Sequence, residues 1–187
     1  MVVTVPLVQL LDDARIHRDS GRFDDAGILY RAILERQPDH PEAHHGLGLI
    51  ALGQRRAAEA IDHLRTALQG EPAQARNWLF YLEALIQGGQ AGPALEVLAQ
   101  GRDHGLEGPE ADALEQRARH LARVQEATVL AAEHFQVGRY EDSLDCFGLI
   151  LRHQPHSGPM HNNMGSALFN LGRLEEREWV RRWTGKR

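Results

Sequence analysis

The sequence is poor in several residue types, and each shortage excludes a class of protein. A single cysteine, Cys146, excludes a framework of intramolecular disulfides and is typical of a reducing compartment. The formal net charge of −5 is the opposite of the basic excess that general nucleic-acid binding requires. No apolar run approaches the ~18 residues of a membrane span, and no basic residue precedes the apolar start, so no signal peptide is expected. We therefore expect a cytoplasmic protein with neither a nucleic-acid partner nor a membrane span.

Catalytic signatures are missing as well. The sequence contains no Gly-rich phosphate loop, no Gly-x-Ser-x-Gly nucleophile elbow and no Cys–His pairing in a known family context. Carboxylate pairs such as Asp24-Asp25 and Glu175-Glu176 are better explained by solvent exposure and by the favourable effect of acidic side chains near helix starts. The chain is accordingly predicted not to be an enzyme and to carry no cofactor.

The abundance of histidine, eleven residues, raises the question of a metal site. Two groups fall at predicted hairpin junctions: His40, His44 and His45, and then His153, His156 and His161. Their spacings could chelate zinc, but no cysteine or carboxylate set completes a tetrahedral site in either group. Junctions favour polar residues in any case, so we predict surface histidines and no metal.

What the sequence does contain is a set of helical segments that repeat with a constant period. Residues 41–74 predict two short amphipathic helices with a turn between them. Small side chains at Gly48 and Ala60 let these two helices approach closely. A shift by the length of this unit carries Ala60 to Ala26 in one direction and to Ala94 in the other. Because one hairpin cannot bury its apolar face alone, the period predicts stacked copies.

Three stretches share one pattern: Ala26-x3-Tyr30 with Pro38, Ala60-x3-Leu64 with Pro72, and Ser143-x3-Phe147 with Pro155. This pattern and its period resemble the tetratricopeptide repeat, in which Ala-x3-Phe is followed by Pro in a unit of about 34 residues. The resemblance implies an all-α fold, a right-handed superhelical solenoid of helix-turn-helix hairpins.

The predicted organisation is a single domain over residues 1–187. Its segments are repeats at about 7–40, 41–74 and 75–108, a helical insertion at 109–123, a repeat at 124–157 and a partial repeat at 158–187. The insertion follows from the longer step between Ala94 and Ser143. The stretch from Glu110 to Gln136 contains no helix breaker, so it forms either one long helix or two helices with a break near Arg123.

The last repeat begins regularly and then loses the pattern. Arg177 and Arg181 occupy slots that should pack, and Trp179 and Trp183 fall out of register. Since an array without a polar capping helix exposes apolar side chains, a homodimer through the C-terminal end is a further hypothesis.

The resemblance also places a binding surface, because in this family the first helix of each hairpin lines the concave face. The candidate groove residues on these helices are Leu11, Arg15, His45, Leu49, Leu52, Arg76, Leu79, Phe80, Glu83, Ile86, Phe135, Asn162, Asn163 and Phe169. The slots that hold acidic peptide tails in some members retain Arg15 and Arg76 but lack the asparagines of that pattern. Since the set is largely apolar, it suits an amphipathic helix or another protein surface.

The predicted function is a non-catalytic scaffold for protein–protein interaction that binds a protein or peptide in this groove. A second hypothesis starts from the stretch NWLFYLEALIQGGQ and the residues after it, 77–117 in all. This stretch resembles the repeat region that precedes the catalytic half of some bacterial glycosyltransferases related to O-linked N-acetylglucosamine transferase. That resemblance implies a regulatory or substrate-presenting arm whose catalytic half is elsewhere.

Overall fold

The computed structural model describes residues 5–173, and every regular element within that range is an α-helix. The helices are α1 (Leu7–Asp19), α2 (Phe23–Arg36), α3 (Pro41–Gly53), α4 (Ala57–Gly70), α5 (Ala75–Gln87), α6 (Ala91–Asp103), α7 (Pro109–Gln136), α8 (Tyr140–His153) and α9 (Gly158–Asn170). The predicted all-α class is therefore confirmed.

The helices recur at the predicted interval. The first helices of the first three hairpins begin at residues 7, 41 and 75, and their second helices begin at residues 23, 57 and 91. Consecutive helices from α1 to α6 pack on one another, α8 packs on α9, and α3 also contacts α1 and α5. The starts of the three predicted repeats thus coincide with the starts of α1, α3 and α5.

A left-handed residue ends the first helix of each hairpin. Four of these positions are glycines with positive φ: Gly21 (75°), Gly89 (72°), Gly138 (77°) and Gly172 (74°). In the first hairpin the Gly21 N–H donates to the Arg18 carbonyl and the Arg22 N–H donates to the His17 carbonyl, both at 2.9 Å. These bonds satisfy the last carbonyls of the helix, which otherwise have no partner inside it. The second hairpin makes the same two bonds with Arg55 at the left-handed position, with φ 58°.

Arg55→Gly should stabilise the protein by about 0.5–1 kcal/mol. A side chain costs about 1–2 kcal/mol in the left-handed region, and the greater freedom of glycine in the unfolded chain offsets part of that gain. Urea unfolding of both proteins measures the difference. Gln54→Gly is the matched control, because Gln54 has φ −91° and glycine there brings only the entropic cost. Equal effects of the two substitutions would contradict the strain assigned to Arg55.

Proline and a ring N–H close the junction between hairpins. Gln37, Glu71 and Gln154 each precede a proline and leave the helix at φ −137°, −135° and −126°. A ring nitrogen in the next helix then donates to the proline carbonyl in three junctions: Trp78 to Pro72 at 2.8 Å, His44 to Pro38 at 2.7 Å, and His161 to Pro155 at 2.8 Å. Since a carbonyl only accepts, both histidines carry their proton on Nε2. His161 is buried, so the prediction of a surface histidine is wrong at that position.

Close approach of helices builds the core of the first compact unit, which runs through Arg119. Tyr30 is fully buried and its ring lies against the backbone at Gly46, while Leu64 lies against Gly48. A Cβ added at Gly48 would stand 2.5 Å from the Leu64 Cγ. The absence of a side chain at Gly48 therefore lets α3 and α4 pack at this distance.

Gly48→Ala should destabilise the protein by about 1–3 kcal/mol, because the added methyl overpacks a filled core. Gly53→Ala is the matched control in the same helix, since a Cβ at Gly53 meets nothing within 4 Å. Alanine at that exposed position should be neutral or stabilising by up to about 1 kcal/mol. Thermal or urea unfolding compares the two, and a Gly48→Ala protein as stable as Gly53→Ala would contradict the packing described here.

The stretch after the third hairpin forms one continuous helix, α7, of 28 residues. This is the first of the two alternatives drawn from the sequence. Its first turns pack into the first unit through Ala111, Leu114 and Ala118. Three ion pairs also join it to the first unit: Arg102 donates to Asp112 at 2.8 Å and to Glu115 at 2.7 Å, and Arg117 donates to Glu83 at 2.8 Å.

The second compact unit starts at His120. Its core contains Ala127 and Ala131 from the end of α7, Leu144, Phe147 and Ile150 from α8, and Ala167 and Leu168 from α9. The end of α7 thus serves as the first helix of the fourth hairpin.

The single domain over 1–187 stays a prediction. Arg177, Trp179, Arg181 and Trp183 lie outside the described residues, and the homodimer stays a prediction that light scattering can test.

Candidate functional site

The predicted groove residues of the first unit fall on its three first helices in rows whose members lie one repeat period apart. One row is Leu11, His45 and Leu79, a second is Arg15, Leu49 and Glu83, and a third is Leu52 and Ile86. Arg76 and Phe80 lie in the first two turns of α5. Because α1 contacts α3 and α3 contacts α5, the rows run across neighbouring helices. We call this set the first-unit surface.

Exposure separates these residues into contact and core positions. Phe80 is 37% exposed, whereas Leu49, Leu79 and Ile86 are partly buried against the core. His45 and Leu52 are 5% and 9% exposed. Their assignment as groove contacts is therefore wrong: helical packing turns both side chains inward, and a partner on this surface cannot reach them.

The His45 ring instead packs against the Phe80 ring. The two rings meet edge to face, with centroids 5.4 Å apart and an interplanar angle of 75°. Burial, with the positive charges of Arg76 and Arg18, lowers the pKa of His45 to about 4. His45 is therefore neutral at pH 7 and adds no charge to the first-unit surface.

His45→Leu should remove part of the acid sensitivity of folding. The pKa of His45 is below its unfolded value of 6.5, so its contribution to stability is complete above pH 6.5 and is lost as the pH falls towards 4. The free energy of unfolding of the native protein should drop by about 2 kcal/mol from this residue between pH 7 and pH 5. Urea unfolding at both pH values measures the drop, and an undiminished drop in the variant would contradict this assignment.

Each charged residue of the first-unit surface faces an opposite charge from outside that set. The Arg15 Nε donates to the Glu42 carboxylate at 2.7 Å, and a second nitrogen of Arg15 donates to Asp12 at 2.9 Å. Burial raises the pKa of Glu42, but the bond from Arg15 and the charge of Arg76 outweigh it, so the pKa is lowered overall. Glu83 is similarly held by Arg117. Sequence reasoning missed Glu42, although a shift of one repeat period carries it onto Arg76.

The second unit has a cavity of about 250 Å³. It is lined by Thr128, Ala132, Phe135, Gln136, Phe147, Met160 and Asn163. Two of these, Phe135 and Asn163, are predicted groove residues that the fold brings together. The other two predicted residues of this unit, Asn162 and Phe169, are exposed on α9 and do not line the cavity. We call it the second-unit cavity.

Four histidines form two pairs between helices. His44 and His63 approach through their Nδ1 atoms at 2.9 Å, and the rings of His120 and His153 meet at right angles with centroids 3.8 Å apart. In residues 5–173 no group of three or more histidine, cysteine or acidic side chains is placed to hold a metal ion. Over the same range, no helix combines the length and the apolar character needed to cross a bilayer.

Two models of the tetratricopeptide repeat match the sequence, one over residues 11–77 and the other over residues 51–118. No curated protein sequence matches the chain. Among solved structures, the chain is similar to a tetratricopeptide repeat protein from Parabacteroides merdae, with 13% identity and a TM-score of 0.58. That match covers 96% of this chain, which spans 64% of the Parabacteroides protein.

A second similar structure is the TPR2AB domain of yeast Sti1, solved as a complex with pHSP90. The identity is 12% and the TM-score 0.53, over 95% of this chain and 76% of that one. At these identities the two likenesses show the fold alone, and they agree with the helical hairpins described above.

Proposed function

Because its residues 11–118 belong to the tetratricopeptide-repeat family, we propose that this chain is a non-catalytic scaffold that binds a protein or peptide on its first-unit surface. The observation that carries the proposal is Phe80. It is a large aromatic side chain, 37% exposed, on a helix whose other apolar residues are packed. Aromatic residues, including phenylalanine, are enriched in protein interfaces relative to the rest of the surface.

The electrostatics of the same surface favour an apolar contact. Arg15 pairs with Glu42, Glu83 pairs with Arg117, and Arg76 lies 3.9 Å from the Glu71 carboxylate. An ion pair already formed within the chain has little left to offer a charged partner group. The surface therefore suits the apolar face of an amphipathic helix better than an acidic peptide tail.

The likeness to Sti1 supports a binding role of this general kind, since that domain was solved with pHSP90. The missing catalytic signatures agree with a role as a scaffold, and the single Cys146, a free thiol, agrees with a cytoplasmic location. The absence of catalytic activity and the cytoplasmic location are both part of what we propose.

Phe80→Glu should weaken capture of the main partner by about tenfold or more, because the interface would then bury an unpaired charge. Partners are captured on immobilised native protein, identified by mass spectrometry and then titrated against each variant. Phe23→Glu is the matched control, because Phe23 on α2 is exposed to a similar degree, 41%. Circular dichroism should show equal helix content in all three proteins.

The outcome that would overturn this proposal is the reverse pattern. If Phe23→Glu loses the partner and Phe80→Glu keeps it, the partner binds on the second helices of the hairpins. If neither variant changes the affinity, the first-unit surface is not the binding site.

As a second candidate, we propose the regulatory or substrate-presenting arm of a glycosyltransferase. It rests on the resemblance of residues 77–117, which form most of α5, all of α6 and the start of α7. The partner captured by native protein would then be a sugar transferase, and its transfer of a nucleotide-linked sugar to protein should change when the chain is added. A partner set without such an enzyme would remove this candidate.

A further inference from the structure

We infer that the second-unit cavity receives an uncharged aromatic side chain, best a tryptophan, from a bound partner segment. The inference deepens the proposed function, on which it rests, by naming the chemistry of one contact. It follows from a comparison of the same slots in two hairpin pairs of this chain.

The two hairpin pairs are related by one constant shift along the sequence. That shift carries α4 (Ala57–Gly70) onto α8 (Tyr140–His153) and α5 (Ala75–Gln87) onto α9 (Gly158–Asn170) with identical bounds. It also carries the end of α3 at Gly53 onto the end of α7 at Gln136. Corresponding residues therefore occupy the same positions on the same kind of helix.

In the first unit, aromatic rings occupy two of the slots that line the cavity in the second unit. Phe80 stands in the slot of Asn163, and His45 stands in the slot of Thr128. The Phe80 and His45 rings meet edge to face, and His45 is only 5% exposed. In the second unit both rings are replaced by much smaller side chains, and there the cavity opens. The cavity is thus lined by both slots that hold an aromatic ring in the first unit.

The size of the cavity agrees with a single side chain. A dry apolar cavity of about 150 Å³ accepts benzene, and pockets for whole ligands hold about 300–1,000 Å³. At about 250 Å³ the second-unit cavity has room for an indole but is small for a cofactor.

The lining excludes a charged occupant. Phe135, Phe147 and Met160 supply apolar surface, and no charged side chain lines the cavity. A carboxylate or ammonium group would lose its hydration there without gaining an ionic partner, which is strongly unfavourable. This cavity therefore does not suit the terminal carboxylate of an acidic tail.

Its polar groups favour an occupant with an N–H group. The Thr128 hydroxyl donates to the Val124 carbonyl at 2.8 Å, so its oxygen has only lone pairs left to offer. The side-chain amides of Gln136 and Asn163 each add an acceptor oxygen and a donor nitrogen. An indole N–H and the peptide groups beside it can use these partners, whereas a phenyl ring leaves them unused.

The methionines of the chain allow a direct test. The full chain is labelled with ¹³C at the methionine methyls and titrated with N-acetyltryptophanamide, an uncharged aromatic residue flanked by two amide groups. We expect a saturable upfield shift of the Met160 methyl, which lines the cavity, and a smaller shift of Met164, one turn further along α9. N-acetyltryptophan, which carries a carboxylate, and N-acetylleucinamide should each bind about tenfold more weakly or worse.

One variant places at position 163 the phenylalanine that the first unit has in the corresponding slot, Phe80. Asn163→Phe should fill the cavity from within and abolish the Met160 shift, whereas the neighbouring Asn162→Phe, outside the lining, should leave it unchanged. Both positions are exposed, so both variants should fold, and circular dichroism checks this. Ala132→Leu supplies a second way to fill the cavity, because Leu49 holds that slot in the first unit.

The inference is overturned if Met160 shows no saturable shift, if the carboxylate probe binds as well as the amide, or if Asn163→Phe binds like the native chain. These results would leave the proposed function standing as long as Phe80→Glu still weakens partner capture. Conversely, loss of the Phe80 effect with a normal Met160 titration would overturn the proposed function at the first-unit surface and retain the cavity.

Discussion

Close contact between helices at positions without a side chain is the constraint on which this structure depends. Tyr30 of α2 packs on Gly46 of α3, and Leu64 of α4 packs on Gly48 of the same helix. The second contact is made within one hairpin and the first joins two hairpins, and a hairpin needs both because it cannot bury its apolar face alone. The same contacts set the register of the first helices, and that register aligns the rows of the first-unit surface.

The same backbone pattern therefore presents different surfaces in the two units, because a few side chains differ between them. In the first unit His45 of the second hairpin and Phe80 of the third are in contact, and Phe80 stays 37% exposed. In the second unit Thr128 and Asn163 occupy the same slots and leave a cavity. A protruding ring and a receiving cavity can thus arise from one repeat by exchange of side chains at a few slots.

The histidines show that residue types associated with function can have a structural role in a repeat. His44 and His161 occupy the slot of Trp78, and all three rings donate to a proline carbonyl in the preceding junction. His45 is buried beneath Phe80, where burial lowers its pKa. These three histidines belong to the predicted junction clusters, and their contacts explain them as parts of the packing.

The sequence by itself determined the helices, their period and their turns, because those features are local. The repeat period, glycines such as Gly21 that accept positive φ, and proline after Gln37 each act through the backbone of a few neighbouring residues. Only the tertiary structure decided which groove residues are available, because that depends on side chains from different hairpins. It buried His45 and Leu52, neutralised Arg15 with Glu42, and opened a cavity where Phe135 and Asn163 meet. An ion pair or a cavity depends on how side chains from different helices pack together, so it cannot be derived from any one helix.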